Sequence, residues 1–283
     1  MIKIEASQKE AKSRRSRKFH ESIVDVTSKF SAKGNKKALI LSFYFLIVTI
    51  FWLYVYFVDR KNISLNKTFY FMMEVLSIFG VFYTGLIIKK WGGMSSRLGK
   101  ALVLLAISFV LNFISSMVLF VFPNLYNSYP LATIILFFIM YISWSFSGLE
   151  LLFFSGVKTN SLKKWKYLII SFAVIGLSAV LISFFQDAEM SMTTLEFVTI
   201  LSDLILLAEF LNLMINFSRI KEGTLFKAIF FFCLGILVQL IGDLIFAIRG
   251  SFNLLYFGDI SYLIYGLSWF ILGLCPVFFP HEN

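Results

Sequence analysis

Residues 38–58 read ALILSFYFLIVTIFWLYVYFV, a run of 21 residues without a charged side chain. A helix rises about 1.5 Å per residue, so a run of this length crosses the roughly 30 Å hydrocarbon core of a bilayer. Seven more largely apolar stretches follow. The eight predicted spans are 38–58, 68–88, 101–122, 131–154, 167–185, 194–217, 228–248 and 260–279. The chain is therefore predicted to be all-α, a polytopic membrane bundle of eight transmembrane helices.

Composition leaves room for one membrane unit and little else. Apolar residues make up 59% of the 283 positions and charged residues only 15%, so we expect no soluble domain beyond the first 37 residues. The formal charge of +10 would suggest a nucleic-acid partner for a soluble protein, but here the surplus falls in segments that face anionic lipid. We therefore expect membrane lipid, and no nucleic acid, among the partners.

The common motifs for catalysis and cofactor binding are missing. The sequence has no phosphate-binding glycine loop and no HExxH, and its two histidines, His20 and His281, lie outside the spans. We therefore expect no histidine-ligated metal site and no cofactor. No lysine lies near the middle of a span, which removes a retinal Schiff base from consideration.

Lysine and arginine alternate between dense and sparse along the chain. The tail 1–37 and the connections after spans 2, 4 and 6 together hold 22 of them, whereas the connections after spans 1, 3, 5 and 7 hold 4. The positive-inside rule then places both termini on the cytoplasmic side of a cell membrane, either an inner membrane or a plasma membrane.

In the tail, Phe19, Ile23, Val26 and Phe30 recur at helical spacing. Both an amphipathic helix on the inner leaflet and a disordered basic tail fit this pattern.

Landmarks in the first half of the chain recur in the second. LGKAL at 98–102 returns as LFKAI at 225–229, 127 positions later, and SW at 143–144 returns at 268–269, an offset of 125. We therefore predict that 38–156 and 157–283 are two four-helix repeats of the same orientation, related by a pseudo-twofold axis along the membrane normal. Chance similarity between phenylalanine-rich and leucine-rich helices is the alternative.

A few acids and amides lie within the spans, where a charge costs on the order of 2.5 to 3.5 kcal/mol. Gln239 and Asp243 share one face of span 7, and the repeat offset maps them onto Asn112 and Ser116 of span 3. Helix direction places these residues, together with Glu74 of span 2 and Asp203 of span 6, in the outer half, so we predict one polar chamber open to the outside. Its predicted ligand-binding residues are Glu74, Asn112, Ser116, Asp203, Gln239 and Asp243. The alternative is hydrogen bonding that only holds the bundle together.

Aromatic residues also lie deep in two spans. Tyr141, Trp144, Tyr265 and Trp269 fall inside spans 4 and 8, away from the membrane boundaries where aromatic residues usually act as anchors. They could line an apolar ligand site. In a chain with 35 Phe, 12 Tyr and 5 Trp, however, packing is the favoured interpretation.

The run GDLIFAI at 242–248, followed by DISYLIYG at 259–266, resembles the last two helices of the seven- and eight-helix sensor modules that precede diguanylate cyclases and histidine kinases. LGKAL before span 3 and SDL at 202–204 are similar to the same family, so the resemblance covers spans 2 to 8. It implies a ligand sensor that signals through its last helix to a cytoplasmic output domain. The chain stops at Asn283 without such a domain, so we expect signalling to use a separate cytoplasmic partner reached through the basic tail.

The same GDLIFAI run also resembles the lysoplasmalogenase-type family, eight-helix membrane proteins thought to hydrolyse the vinyl-ether bond of lysoplasmalogens with two membrane-embedded aspartates. The resemblance implies that Asp243 is one of the pair, but the equivalent place in span 3 holds Ser116. If the protein is an enzyme, we expect Asp243, Asp203 and Glu74 to be catalytic, because a second carboxyl group must lie near Asp243.

These observations give three functional hypotheses. The first is a non-enzymatic sensor or receptor-like membrane protein that binds a small ligand, cationic or lipid-derived, in its outer half. The second is a membrane lipid hydrolase of the lysoplasmalogenase type. The third is a small-molecule carrier built on the parallel repeat.

Overall fold

The computed structural model describes residues 36–118, 130–154, 225–251 and 258–279, together with a few positions between 202 and 213. Almost all of the basic tail, all of predicted span 5 and most of predicted span 6 lie outside the described residues. The chain divides into two compact units, Met1–Ile40 and Leu41–Asn283, and every contact reported below lies within the second unit.

The described regular structure is helical, as the sequence predicts. The helices are α1 (Lys36–Asp59), α2 (Ile63–Ile88), α3 (Arg97–Ser116), α4 (Pro130–Phe154), α5 (Phe226–Ser251) and α6 (Ile260–Val277), with a 3-10 turn at Gly93–Ser95. Helices α1 to α4 correspond to predicted spans 1 to 4, and α5 and α6 to spans 7 and 8. Each of the six contains a stretch long and apolar enough to cross a membrane, as expected of a multi-pass membrane protein.

Side-chain caps explain why two helices begin earlier than the apolar runs suggest. Helix α2 begins five residues before the predicted span, because Asn62 Oδ1 accepts a hydrogen bond from the Leu65 amide at 3.1 Å. Helix α3 begins four residues early, because Ser96 Oγ accepts from the Gly99 amide at 2.9 Å. A cap of this kind stabilises a helix by about 0.5 to 2 kcal/mol, so polar residues enter its first turn.

Glycine allows the sharp reversal between α2 and α3. Gly92 and Gly93 adopt φ angles of 76° and 52°, in the left-handed region that residues with a Cβ rarely occupy. A Cβ on Gly99 would lie 2.0 Å from the Gly93 carbonyl oxygen. The first turn of α3 therefore lies directly against this connection, and the glycine of LGKAL is needed for that contact.

Helix α6 is fixed at its start by an ion pair and a cap. Asp259 is fully buried, and its Oδ1 accepts from the Ser261 amide at 3.1 Å. Its Oδ2 accepts from Arg249 Nε, near the end of α5, at 2.7 Å. Trp52 Nε1 of α1 donates to the adjacent Gly258 carbonyl at 2.9 Å. This junction therefore ties the ends of α5 and α6 to α1.

Close pairs of helices form the interior. Helix α3 packs on α4, α5 packs on α6, and α2 lies against both α3 and α6. Glycines let these helices approach, since a Cβ on Gly80 would lie 2.6 Å from the Phe109 ring and one on Gly235 would lie 2.5 Å from Leu272. Small residues at helix contacts are typical of membrane bundles, where close packing replaces the hydrophobic effect as the main attraction.

The burial pattern differs from that of a water-soluble protein. Large apolar side chains face outward, and Phe57 of α1 is 77% exposed. Hydroxyl groups lie inside, and two of them bond to backbone carbonyls of neighbouring helices. Ser147 Oγ donates to Ala101 O across α3 and α4 at 2.9 Å, and Ser268 Oγ donates to Gly235 O across α5 and α6 at 2.9 Å. An apolar exterior around a partly polar interior is the arrangement that a lipid solvent favours.

Candidate functional site

A first polar cluster lies between α2 and α3. It consists of Glu74, Ser77, Asn112 and Ser116, all buried, and is called the α2–α3 cluster below. Asn112 Nδ2 donates to Glu74 Oε2 and to Ser77 Oγ, both at 2.9 Å. Ser77 Oγ donates to Glu74 Oε2 at 3.5 Å, and the Ser116 hydroxyl also hydrogen-bonds with Glu74. The single acid of this cluster is therefore surrounded by hydrogen-bond donors.

Helical spacing brings the α2–α3 cluster together. Glu74 and Ser77 are three residues apart on α2, and Asn112 and Ser116 are four apart on α3, so each pair lies on one helix face. The two faces meet where α2 packs on α3. Every member finds a partner within the cluster, which makes it a self-contained interhelical contact.

A second polar cluster surrounds Asp243 on α5 and is called the Asp243 cluster below. Tyr141 of α4 donates its hydroxyl to Asp243 Oδ2 at 3.1 Å. Gln239 Nε2, one helical turn away, lies 3.4 Å from both Asp243 oxygens. The Tyr265 hydroxyl of α6 and the Asp203 carboxyl group also hydrogen-bond with Asp243. Four separate parts of the chain therefore meet at one carboxyl group.

The two acids of the Asp243 cluster differ in their surroundings. Asp243 accepts from Tyr141 and Gln239, so its charged form is well supported. Asp203 faces Asp243, and a hydrogen bond between two carboxyl groups needs a proton on one of them. The pair therefore carries one negative charge when a single proton lies between them.

Two acceptors in the Asp243 cluster lack a donor. Asp203 Oδ1 and Gln239 Oε1 are inaccessible to solvent and have no hydrogen-bond partner. Leaving a buried acceptor unsatisfied costs about 1 to 3 kcal/mol, so such atoms in a native protein call for a partner such as a ligand or water. The α2–α3 cluster has no atom of this kind among its described side chains. The incomplete cluster is therefore the better candidate for a binding site.

Aromatic rings line the region between the two clusters. Tyr141 packs edge-to-face on Trp144 at 5.8 Å between ring centroids, and Trp144 lies 4.9 Å from Trp269 of α6. Trp269 in turn lies 5.5 Å from Phe109, one turn before Asn112 on α3. The Trp144 indole N–H is buried without an acceptor. This aromatic row extends from the Asp243 cluster to the helix that carries Asn112.

The six predicted ligand-binding residues divide between the two clusters. Their hydrogen bonds join Glu74, Asn112 and Ser116 in one group, and Asp203, Gln239 and Asp243 in the other. The single chamber shared by all six stays a prediction. The repeat offset matches this division, because it maps Asn112 onto Gln239 and Ser116 onto Asp243.

The sequence favours packing over a ligand site for Tyr141 and Tyr265, but both hydroxyls bond to Asp243. The available signal was their position in the middle of a span, since a tyrosine hydroxyl buried in a bilayer requires a polar partner. Gly242 makes room for Tyr265, since a Cβ at position 242 would lie 2.7 Å from the Tyr265 ring. The glycine of GDLIFAI therefore lets Tyr265 lie beside α5.

Comparison with known proteins yields no relative, because no family model, curated protein or solved structure matches the chain. Within the described ranges, no three His, Cys, Asp or Glu side chains come together in a way that could hold a metal ion. The two polar clusters are therefore the features that bear on function.

Proposed function

We propose that this chain is an integral membrane sensor or receptor-like protein whose small ligand binds at the Asp243 cluster. The observation that carries the proposal is the pair of buried acceptors without donors, Asp203 Oδ1 and Gln239 Oε1. A purely structural contact would pair its polar atoms internally, as the α2–α3 cluster does. A ligand with hydrogen-bond donors completes the Asp243 cluster instead.

The proposed architecture has eight spans in two parallel repeats with both termini in the cytoplasm. In a twofold arrangement, equivalent residues near the axis contact each other. Trp144 and Trp269 are equivalent by the repeat offset, and their rings lie 4.9 Å apart. The packing of α3 on α4 and of α5 on α6 supports the same relation. The binding site then lies in the outer half of a cell membrane.

Signal transfer in this proposal uses two helices that contribute side chains to the site. Tyr141 of α4 and Tyr265 of α6 bond directly to Asp243, so a ligand that changes the hydrogen bonds of Asp243 changes the contact between these helices. Such a change reaches a separate cytoplasmic partner through the basic tail. The free energy for this change comes from the ligand, which binds one arrangement of α4 and α6 more tightly than the other.

Native mass spectrometry of the purified full chain tests for an endogenous ligand. We expect a small bound species on the wild type that is lost in Asp243→Asn and Asp203→Asn. Glu150→Gln is the matched control, since it replaces a half-buried acid of α4 that belongs to neither cluster, and it should retain the species. Equal occupancy in all four proteins, or none in any, would contradict the proposed binding site.

A membrane lipid hydrolase is the second candidate, because the structure brings a second carboxyl group to Asp243. The resemblance to lysoplasmalogenases requires a carboxyl pair, and Asp203 supplies a second carboxyl group beside Asp243, although span 3 has Ser116 at the equivalent place. In that reaction one carboxylic acid protonates the vinyl-ether carbon, and the other carboxylate removes a proton from the attacking water. The resulting hemiacetal breaks into a fatty aldehyde and the glycerol phosphodiester that carries the headgroup.

Turnover separates the two candidates. A receptor binds without releasing product, so we expect the reconstituted wild type to form no aldehyde from lysoplasmalogen. Aldehyde release that is lost in both Asp203→Asn and Asp243→Asn, but kept in Glu150→Gln, would instead favour the hydrolase.

A further inference from the structure

We propose that the ligand of the Asp243 cluster is a small organic cation with a primary ammonium group. This inference rests on the proposed binding function and adds the chemical class of the ligand. Three properties of the described residues support it: the charge of the cluster, the type of its unpaired atoms and the nature of its walls.

The charge of the cluster is negative and uncompensated among the described side chains. When a single proton lies between Asp203 and Asp243, the pair carries one negative charge, and the other side chains that bond to Asp243 are Tyr141, Gln239 and Tyr265, all uncharged. Every lysine and arginine of the described helices lies within five residues of a helix end. A lone carboxylate in an apolar bundle is costly, so a cationic occupant is favoured.

The unpaired atoms of the cluster specify donors on the ligand. Gln239 Oε1 is an amide oxygen and can only accept hydrogen bonds, and Asp203 Oδ1 also accepts when the shared proton lies between the two carboxyl groups. A primary ammonium group carries three N–H donors on one positive centre, enough for both atoms and for a third contact. A calcium ion needs six to eight oxygen ligands and magnesium about six, more than two free acceptors supply. The site therefore fits an ammonium group better than a bare metal ion.

The walls of the cluster suit the carbon skeleton of such a cation. Tyr141 and Tyr265 carry aromatic rings to Asp243, and Trp144 packs on Tyr141. Aromatic faces attract cations by about 0.5 to 2 kcal/mol and also cover apolar groups. Gly242 brings the Tyr265 ring directly against α5, which leaves little space on that side. The expected occupant is therefore compact, with a short alkyl or aryl group.

Thermal unfolding of the full chain in nanodiscs at neutral pH tests the ligand class with three probes of similar size. They are propylammonium, propanol and propionate, each titrated over the same concentrations. We expect only propylammonium to raise the midpoint temperature in a saturable manner. Sodium chloride at equal ionic strength controls for general screening.

Substitutions at Gln239 sharpen the test. Gln239→Glu adds a negative charge in nearly the same volume and should tighten propylammonium binding about tenfold, whereas Gln239→Leu removes the acceptor and should weaken it about tenfold. Glu150→Gln should leave the affinity unchanged. A gain of affinity in Gln239→Glu cannot come from loss of folding, so this variant keeps the test decisive.

The outcomes separate this inference from the proposed function. Binding of propanol or propionate as tight as that of propylammonium, or no binding of propylammonium, overturns the ammonium assignment. The receptor proposal still stands in either case if native mass spectrometry shows a bound species that depends on Asp243. It falls if no such species exists.

Discussion

At Asn112, one amide serves two acceptors. Its Nδ2 lies 2.9 Å from Glu74 Oε2 and 2.9 Å from Ser77 Oγ, and all three residues are buried. Loss of this donor leaves the Glu74 carboxyl group with only hydroxyl partners in an apolar bundle. A hydrogen bond to a buried acid contributes more to the free energy of unfolding than an average hydrogen bond, because water cannot replace the lost partner.

Asn112→Leu should therefore lower the free energy of unfolding by about 1 to 3 kcal/mol. Ser115→Ala on the same helix is the control, because Ser115 donates only to the Leu111 carbonyl of its own turn, at 2.7 Å. It should change stability by less than about 0.5 kcal/mol. Unfolding in detergent with increasing sodium dodecyl sulfate measures both variants. A leucine variant as stable as the wild type would show that the α2–α3 cluster contributes nothing to stability.

The sequence shows which polar residues within the spans are unusual, but it does not show which residues contact each other. The acids stood out because a charge within an apolar run is rare and costly. Tyr141 and Asp243 are 102 positions apart, and no spacing rule connects two different helices. Their contact follows from the arrangement of the helices in three dimensions, which depends on many small side chains at once.

At the scale of the helix, glycine positions determine how closely neighbours approach. A Cβ on Gly242 of α5 would lie 2.7 Å from the Tyr265 ring of α6, whereas one on Gly85 of α2 would meet no atom within 4 Å. Both glycines lie inside helices, where alanine is intrinsically favoured by roughly 0.5 to 1 kcal/mol. An alanine at either position gains the same helix propensity, but only the one at Gly242 meets a neighbouring side chain. Comparing the two therefore isolates the energetic cost of that contact.

Gly242→Ala should destabilise the protein by about 1 to 3 kcal/mol, because the new methyl group pushes Tyr265 from Asp243. It should also lower ligand occupancy in native mass spectrometry. Gly85→Ala, the matched control, should be neutral or stabilise the protein slightly, by at most about 1 kcal/mol. Equal stabilities for the two variants would mean that α6 moves away from α5 without cost.

The positions of the six long helices that the structure describes were largely predictable, and the reason is physical. A bilayer requires about twenty apolar residues per helix, so length and composition locate each span. The starts were less accurate, since Asn62 and Ser96 extend α2 and α3 into polar sequence by capping. A hydropathy pattern reports only the part of a helix inside the membrane, whereas a cap defines where the backbone becomes helical.

At the scale of the whole molecule, the distribution of lysine and arginine predicts orientation. A reporter fused after Asn283 should be active only in its cytoplasmic form, and cysteines introduced at Asn127 or Ser191 should react with an impermeant thiol reagent from outside. Cys233 and Cys275 are free and buried, so the background should be low. A cysteine at Lys90, in the connection after α2, is the control and should react only after the membrane is opened. Reaction at Asn127 only from the cytoplasmic side would invert the proposed orientation.

The contact between Trp144 and Trp269 has an optical consequence. Two indoles whose ring centroids lie 4.9 Å apart at an interplanar angle of 31° are close enough for their excited states to couple. Coupled chromophores in a chiral arrangement give a paired positive and negative band in circular dichroism, and its size changes with distance and angle. Because one ring belongs to α4 and the other to α6, this band reports the separation of the two helices that bond to Asp243. Circular dichroism can therefore monitor the distance between α4 and α6 without an added label. Replacement of either tryptophan by phenylalanine should abolish the paired band.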